Sequence, residues 1–200
     1  MVRDGIYYGI GFTISGALLW FLFNPYWALP CFLLAASCMY FFRDPDRQIP
    51  EGPVAVSPGD GKVVQIRPLD NGGSRVSVFL NIFDVHVNRI PVDGVVTGSE
   101  YRRGKFNMAN LEDASAENEQ NSLTIDSAGS QVTVVQIAGL IARRIVCDKK
   151  IGDIVDKGQR YGLIKFGSRM DVFLGPEWKL TVQLGDRVKG GSSILARRTD

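Results

Sequence analysis

Ile164-Lys165-Phe166-Gly167-Ser168-Arg169-Met170-Asp171-Val172-Phe173-Leu174 is the stretch from which the rest of the chain can be ordered. Leu163, Lys165 and Gly167 alternate with Ile164, Phe166 and Ser168, the period-two pattern of a strand. Branched and aromatic residues carry the run on to Leu174, which predicts a β protein. The same stretch holds a chemical possibility. A glycine before a serine is the least hindered peptide on which a hydroxyl can attack its own preceding carbonyl. Attack would turn the Gly167 amide into an ester, and elimination from that ester would leave a ketone where Ser168 had been. Residue types alone do not separate this from a serine satisfied by a local backbone hydrogen bond. Gly-Ser also occurs at Gly73-Ser74, Gly98-Ser99, Gly129-Ser130 and Gly191-Ser192.

Outward from this stretch, short β-type runs recur at 54–56, 61–66, 76–81, 94–101, 122–126 and 132–138, with glycine and proline between them. Such spacing predicts a mostly-β domain, a β-sandwich or barrel-sandwich-like structure. Residues 140–146 read as strand or short helix, and 108–119 as a polar loop or short helix. No periodic helix is long enough for a Rossmann-type unit, and there is no Gly-rich phosphate loop. Ile151-Gly152-Asp153-Ile154-Val155-Asp156-Lys157-Gly158 is echoed by Gln183-Leu184-Gly185-Asp186-Arg187-Val188-Lys189-Gly190. Ser57-Pro58-Gly59-Asp60-Gly61 supplies a related turn. These echoes suit a hammerhead-like sandwich of the kind found in biotin and lipoyl carriers. No lysine sits at a hairpin tip between hydrophobic partners, which argues against a carrier.

The N-terminal part is of another kind. No charged residue lies between Gly5 and Phe42, and Asn24-Pro25 divides the run into 6–23 and 26–42. At about 1.5 Å per residue each half roughly matches a hydrocarbon core of about 30 Å, near the short end of the range. Tyr7, Tyr8, Trp20, Tyr26, Trp27 and Tyr40 stand near the ends of the halves, as interfacial aromatics do. The pattern predicts a helical hairpin over 1–50 with its linker, attached to a membrane, followed by a folded domain over 51–200. Two buried helices of a soluble core and a re-entrant hairpin are the alternatives. Arg3, Arg43 and Arg47 flank the apolar run and put both ends, and the β domain, on the cytoplasmic side.

With 23 Lys+Arg against 21 Asp+Glu, the net charge of +2 gives no basis for a nucleic-acid partner. Cys31, Cys38 and Cys147 have no metal-ligand spacing, and the single histidine, His86, excludes a multi-histidine centre. No metal is therefore expected. His86 is also the one side chain whose ordinary pKa lies near neutrality.

Four segments stand out together: Ser57-Pro58-Gly59-Asp60-Gly61; Phe83-Asp84-Val85-His86-Val87-Asn88-Arg89-Ile90-Pro91; 136–146, beginning Gln136-Ile137-Ala138-Gly139; and Phe166-Gly167-Ser168-Arg169. With Arg43-Asp44-Pro45 before them and Glu117-Asn118-Glu119 between, they resemble, in order, the short form of phosphatidylserine decarboxylase. The similarity covers nearly all of the chain after Phe42. The resemblance implies a self-processing proenzyme cut between Gly167 and Ser168, giving a β chain, 1–167, and an α chain, 168–200, that stay associated. It implies a pyruvoyl group made from Ser168 and no dissociable cofactor. It implies decarboxylation of a membrane phospholipid to phosphatidylethanolamine, or of the ether-linked equivalent. His86 is then the expected acid/base, and Asp60 the expected carboxylate for orienting a histidine or activating Ser168, with Asp84 a weaker candidate.

Two departures bear on these roles. The longer forms of the family have a second histidine three residues after the first, where this chain has Arg89, and they process at Leu-Gly-Ser-Thr rather than Phe-Gly-Ser-Arg. The base for self-cleavage is thus left open between His86 and Asp60. Gln120 also stands where the family often has arginine. Arg89 and Arg169 are the expected partners of the head-group phosphate, with Arg43, Arg102 and Lys105 also conceivable, since guanidinium binds phosphate oxygens bidentately. A homo-oligomer is compatible with all of this. The competing expectation is a non-catalytic, membrane-anchored β-sandwich adaptor, supported by the Gly-Asp hairpins.

Overall fold

The computed structural model describes residues 3–104, 118–139, 145–164 and 168–199. The chain divides into two compact units, Met1–Asp46 and Arg47–Asp200.

The first unit is a helical hairpin of α1 (Arg3–Leu22) and α2 (Pro25–Phe41). Asn24 makes the turn: its side chain accepts the Tyr26 N–H at 3.0 Å, and Pro25 occupies the first helical turn, where its missing N–H leaves nothing unsatisfied. Glycines let the helices meet closely. A Cβ at Gly5 would lie 2.3 Å from the Cβ of Phe42, and one at Gly16 would lie 2.9 Å from the Phe32 ring. Ile10, Ile14, Leu18, Phe21, Leu29 and Leu33 point outward, so the hairpin is apolar all round rather than amphipathic. Among the described residues one helix, Asp4–Leu22, is long and apolar enough to cross a membrane, while Pro25–Phe41 is shorter at 17 residues.

The second unit is built of strands. These are β1 (Val54–Val56), β2 (Gly61–Pro68), β3 (Ser74–Leu80), β4 (Val87–Arg89), β5 (Gly94–Arg102), β6 (Gln120–Ser127), β7 (Ser130–Ile137), β8 (Ile145–Cys147), β9 (Ile154–Val155), β10 (Arg160–Ile164), β11 (Ser168–Leu174), β12 (Trp178–Leu180), β13 (Arg187–Val188) and β14 (Ile194–Arg198). An antiparallel sheet of eight strands runs β13-β2-β3-β11-β7-β6-β5-β9, with three-stranded sheets β4-β10-β8 and β1-β14-β12 beside it. The fold is mostly β, as the spacing of short runs predicted.

The core follows from period-two alternation. Ser168, Met170 and Val172 of β11 stand opposite Leu80, Val78 and Val76 of β3, and all six are fully buried. Val132 and Val134 of β7 and Leu123 and Ile125 of β6 extend the same apolar layer. Strand β11 lies at the centre of the sheet, between β3 and β7.

One expectation is corrected here. The run 164–174 is not a single strand: Ile164 closes β10 in a three-stranded sheet, and Ser168 opens β11 in the eight-stranded one. Periodicity missed the change because both parts are buried and read alike. Residues 165–167, with Gly167, and most of 108–119 and 140–146 lie outside the described residues.

The Gly-Asp echo is a structural repeat. Strand β9 pairs with the start of β5, and β13 with the start of β2, so the two copies close opposite edges of the large sheet. Asp153 accepts the Lys150 N–H at 2.9 Å, and Asp186 accepts the Gln183 N–H at 2.8 Å. Gly152 N–H donates to Val96 O and Gly185 N–H to Val63 O, each at 2.8 Å. Gly152 and Gly185 have φ of 94° and 96°, in the left-handed region that favours glycine. The repeat reaches further than the echo. Asp60-Gly61 corresponds to Asp93-Gly94: Asp60 accepts the Gly190 N–H at 2.8 Å and Asp93 the Lys157 N–H at 2.7 Å.

Candidate active site

Ser168 is the first residue of β11, and its side chain is fully buried with no hydrogen-bond partner among the described residues. Buried hydroxyls are nearly always paired, and leaving one open costs about 1–3 kcal/mol. Two connections bring His86 to this end of the sheet. Ser168 lies opposite Leu80, the last residue of β3, from which the loop 81–85 leads directly to His86. On the other side Leu163 pairs with Val87, the residue after His86, and Leu163 lies five residues ahead of Ser168.

The loop is pinned by its own polar groups. Asn81 N–H donates to Asp84 Oδ2 at 2.9 Å, Phe83 N–H donates to Asn81 Oδ1 at 2.8 Å, and Asp84 Oδ1 meets Arg187 at 3.0 Å. Asp84 therefore shapes the turn. His86 is fully buried, with Nδ1 2.9 Å from the Asp84 carbonyl oxygen. A carbonyl only accepts, so Nδ1 carries the proton and the lone pair of the neutral ring lies on Nε2. The orienting group expected of Asp60 is thus supplied by backbone.

Asp60 is held elsewhere. Arg47 grips both carboxylate oxygens, at 2.9 and 2.8 Å, and Gly190 N–H donates to Oδ1. Its counterpart Asp93 performs the same turn-closing task at the other edge. What distinguishes Asp60 is Arg47; it forms no hydrogen bond with His86 or Ser168.

Both arginines expected at the head group are buried and bonded within the domain. Arg89 is 6% exposed, and its guanidinium donates to Gly158 O at 3.0 Å. A Cβ at Gly191 would lie 2.8 Å from Arg89 Cδ, so the stem fills the space between the repeated Lys-Gly turns. Arg169 is 1% exposed and donates to Asp171 at 2.7 and 3.2 Å, to Ser77 at 2.7 Å and to Gln65 at 2.8 Å. Alternation turns its side chain to the face of β11 opposite Ser168. Both residues are interior braces. Arg43 stacks on Tyr40 within the hairpin, its guanidinium carbon 3.9 Å from the ring centroid, and Lys105 lies outside the described residues.

Sequence reasoning passed over a chain of buried amides. Gln136 Nε2 donates to Val146 O at 3.1 Å and to Asn88 Oδ1 at 2.8 Å, while Asn121 Nδ2 donates to Gln136 Oε1 at 3.1 Å. Asn88 and Gln136 are fully buried, and Asn88 Nδ2 has no partner among the described residues. The available signal was a polar residue at inward-facing positions of otherwise apolar strands. Burial raises the Cys147 thiol and pushes the fully buried Tyr161 phenol well above its ordinary range. Both stay protonated near neutrality.

Gly162 makes room for this chain. A Cβ there would stand 2.1 Å from Val146 O and 2.9 Å from Gln136 Nε2. Gly162→Ala is expected to destabilise the fold by about 1–3 kcal/mol through overpacking, read as a lower Tm. An unchanged Tm would show that the amides yield without loss.

The profile of the phosphatidylserine decarboxylase family matches residues 34–196. A phosphatidylserine decarboxylase proenzyme of Solibacter usitatus is 56% identical over 200 residues, covering 100% of this chain and 98% of that protein. The proenzymes of Syntrophus aciditrophicus and Aromatoleum aromaticum are 43% and 49% identical, over 98% and 85% of this chain and 96% and 82% of their own lengths. A match of this extent, over a mostly-β domain, places the chain in the phosphatidylserine decarboxylase family.

Proposed function

We propose that this protein is made as a precursor, cuts itself between Gly167 and Ser168, and then releases the carboxyl group of phosphatidylserine as carbon dioxide, leaving phosphatidylethanolamine. The observation that carries the reading is the buried Ser168 hydroxyl, without a partner among the described residues, opposite the Leu80 from which the loop runs to His86. The names of the relatives support both the substrate and the precursor state.

Processing balances as follows. Ser168 Oγ bonds to the carbonyl carbon of residue 167 and gives up its proton to a base, for which His86 Nε2 is the candidate. The C–N bond then breaks, the nitrogen takes a proton, and the amide has become an ester. Loss of the Ser168 Cα proton expels the residue-167 carboxylate and leaves a dehydroalanine. Its imine form adds water and releases ammonia, so one water is consumed and a pyruvoyl ketone remains.

The fit is good, because the group occupies the volume of the serine it replaces and Ser168 is already fully buried. Its carbonyl supplies an amine-binding electrophile and an electron sink. His86 holds the proton that must reach the carbon vacated by carbon dioxide. An imidazole with its tautomer set by Asp84 O presents Nε2 to take and return that proton. The apolar hairpin supports attachment to the membrane that contains the substrate, with Arg3, Arg43 and Arg47 favouring the cytoplasmic face. The same head-group chemistry would serve ether-linked lipid.

The test is to supply purified protein with phosphatidylserine labelled in the serine carboxyl, in mixed micelles, and to follow labelled gas alongside fragment masses. The expected result is release of labelled carbon dioxide by a two-fragment protein whose small fragment has a blocked N-terminus. An intact chain releasing no gas would overturn the reading and favour the adaptor.

A further inference from the structure

We propose that Asn88 is the hydrogen-bond donor for the negative oxygen that forms when Ser168 adds to the preceding carbonyl, with Gln136 as the positioning residue that aims it. This rests on the self-processing reading above and names a residue for its first step.

The direction of the Asn88 amide is fixed by chemistry, not by choice of rotamer. Val146 O can only accept, so the Gln136 atom at 3.1 Å from it is the nitrogen, Nε2. The same Nε2 lies 2.8 Å from Asn88, which must therefore offer Oδ1. Asn121 Nδ2 on Gln136 Oε1 agrees with that setting at the other end. The outcome is that Asn88 turns its N–H pair away from the chain of amides, fully buried and without an acceptor among the described residues. No second orientation satisfies the three contacts at once.

The open donor lies in the neighbourhood of the open nucleophile. His86 and Asn88 are two residues apart, the spacing at which an extended chain directs side chains to one side, and both are fully buried. Gln136, which holds Asn88, faces Met170, and Ser168 is the next residue on the same face of β11. Among the described residues, two buried polar atoms thus stay without a partner, Ser168 Oγ and Asn88 Nδ2. Addition of Oγ to the carbonyl carbon moves an electron pair onto the carbonyl oxygen, and a charge-assisted bond from Nδ2 then becomes available. A neutral amide suits the step, since it adds no charge to the pocket before or after it. Arg89 and Arg169 are committed elsewhere.

The test follows cleavage of full-length chain after a pulse of cell-free synthesis with detergent micelles present, in wild type, Asn88→Ala and Asn88→Asp. Removing one oxyanion donor slows such steps by about 10²–10³-fold, and that loss is expected for N88A. Its precursor should resist cutting by hydroxylamine, because the ester has not formed. N88D keeps the oxygen that receives Gln136 Nε2, so it preserves the fold contact while changing the donor. A protonated carboxyl can donate and a carboxylate cannot, so cleavage of N88D should fall, relative to wild type, as pH rises. Cleavage of N88A within about threefold of wild type, far below the loss seen for oxyanion donors, would overturn the proposal. So would a precursor cut by hydroxylamine, or an N88D profile parallel to wild type at every pH. If N88A does not fold, the N88D profile decides. A wild-type chain that never cleaves would instead sink the self-processing reading itself.

Discussion

Ser168→Ala is expected to yield a single uncut chain of 22.0 kDa that releases no carbon dioxide from phosphatidylserine and yet is at least as stable as the wild type. The two halves of that result have separate causes. Loss of cleavage follows from loss of the only atom that can attack the preceding carbonyl from within the residue. Retained stability follows because Ser168 Oγ is buried without a partner among the described residues: its removal deletes a desolvation penalty of about 1–3 kcal/mol and breaks no hydrogen bond seen there. Mass spectrometry, a thermal melt and the carbon dioxide assay read the three outcomes on one preparation. A variant that still divides in two, or still releases gas, would exclude Ser168 as the origin of the activity. A variant that unfolds would show the hydroxyl to be structural.

Asp171→Ala is expected to have the opposite signature, loss of fold rather than of chemistry alone. It leaves the Arg169 guanidinium, 1% exposed and bonded to Asp171 at 2.7 Å, with its counter-charge removed. Breaking a buried pair from one side costs about 3–5 kcal/mol, a large part of the roughly 5–15 kcal/mol that holds an ordinary domain together. Soluble yield and Tm should both fall. Replacing both partners, Arg169→Met with Asp171→Leu, should recover much of the stability, because no lone charge is then buried. The double variant also separates two roles for Arg169. If it is a brace, the recovered protein cleaves itself and turns over lipid with a normal KM. A folded, cleaved double variant with a greatly raised KM would return Arg169 to the head group.

Much of the fold was legible because its strands obey simple alternation: Val76, Val78 and Leu80 against Met170 and Val172 form a pattern that one buried face dictates. The runs at 54–56, 94–101 and 122–126 fall inside observed strands for the same reason. The break between β10 and β11 was hidden, since alternation reports burial and not which sheet provides it. Of the site, Ser168 and His86 were visible as residue types, while the pairing of Ser168 with Leu80, at the start of the loop to His86, is long-range register that no local pattern encodes. The burial of Arg89 and Arg169 was not legible, because charge normally signals solvent or ligand, whereas here each guanidinium is bonded to interior oxygens. Asn88 went unseen because a strand asparagine carries no signal until its neighbours fix which end of the amide is open.

The place of β11 has a consequence for the order of events in the life of the molecule. The strand that starts at Ser168 is bordered on both sides by β3 and β7, and the segments after it, β13 and β14, pair with β2 and β1. A chain must therefore have laid its last sixth, from Ser168 on, between and against strands made earlier before the Ser168 site is complete. Under the proposed chemistry the reactive ketone would be born only inside finished molecules, so that stray or half-built chains would never carry it. Maturation would then act as an inspection of assembly, passed once and recorded in a broken peptide bond.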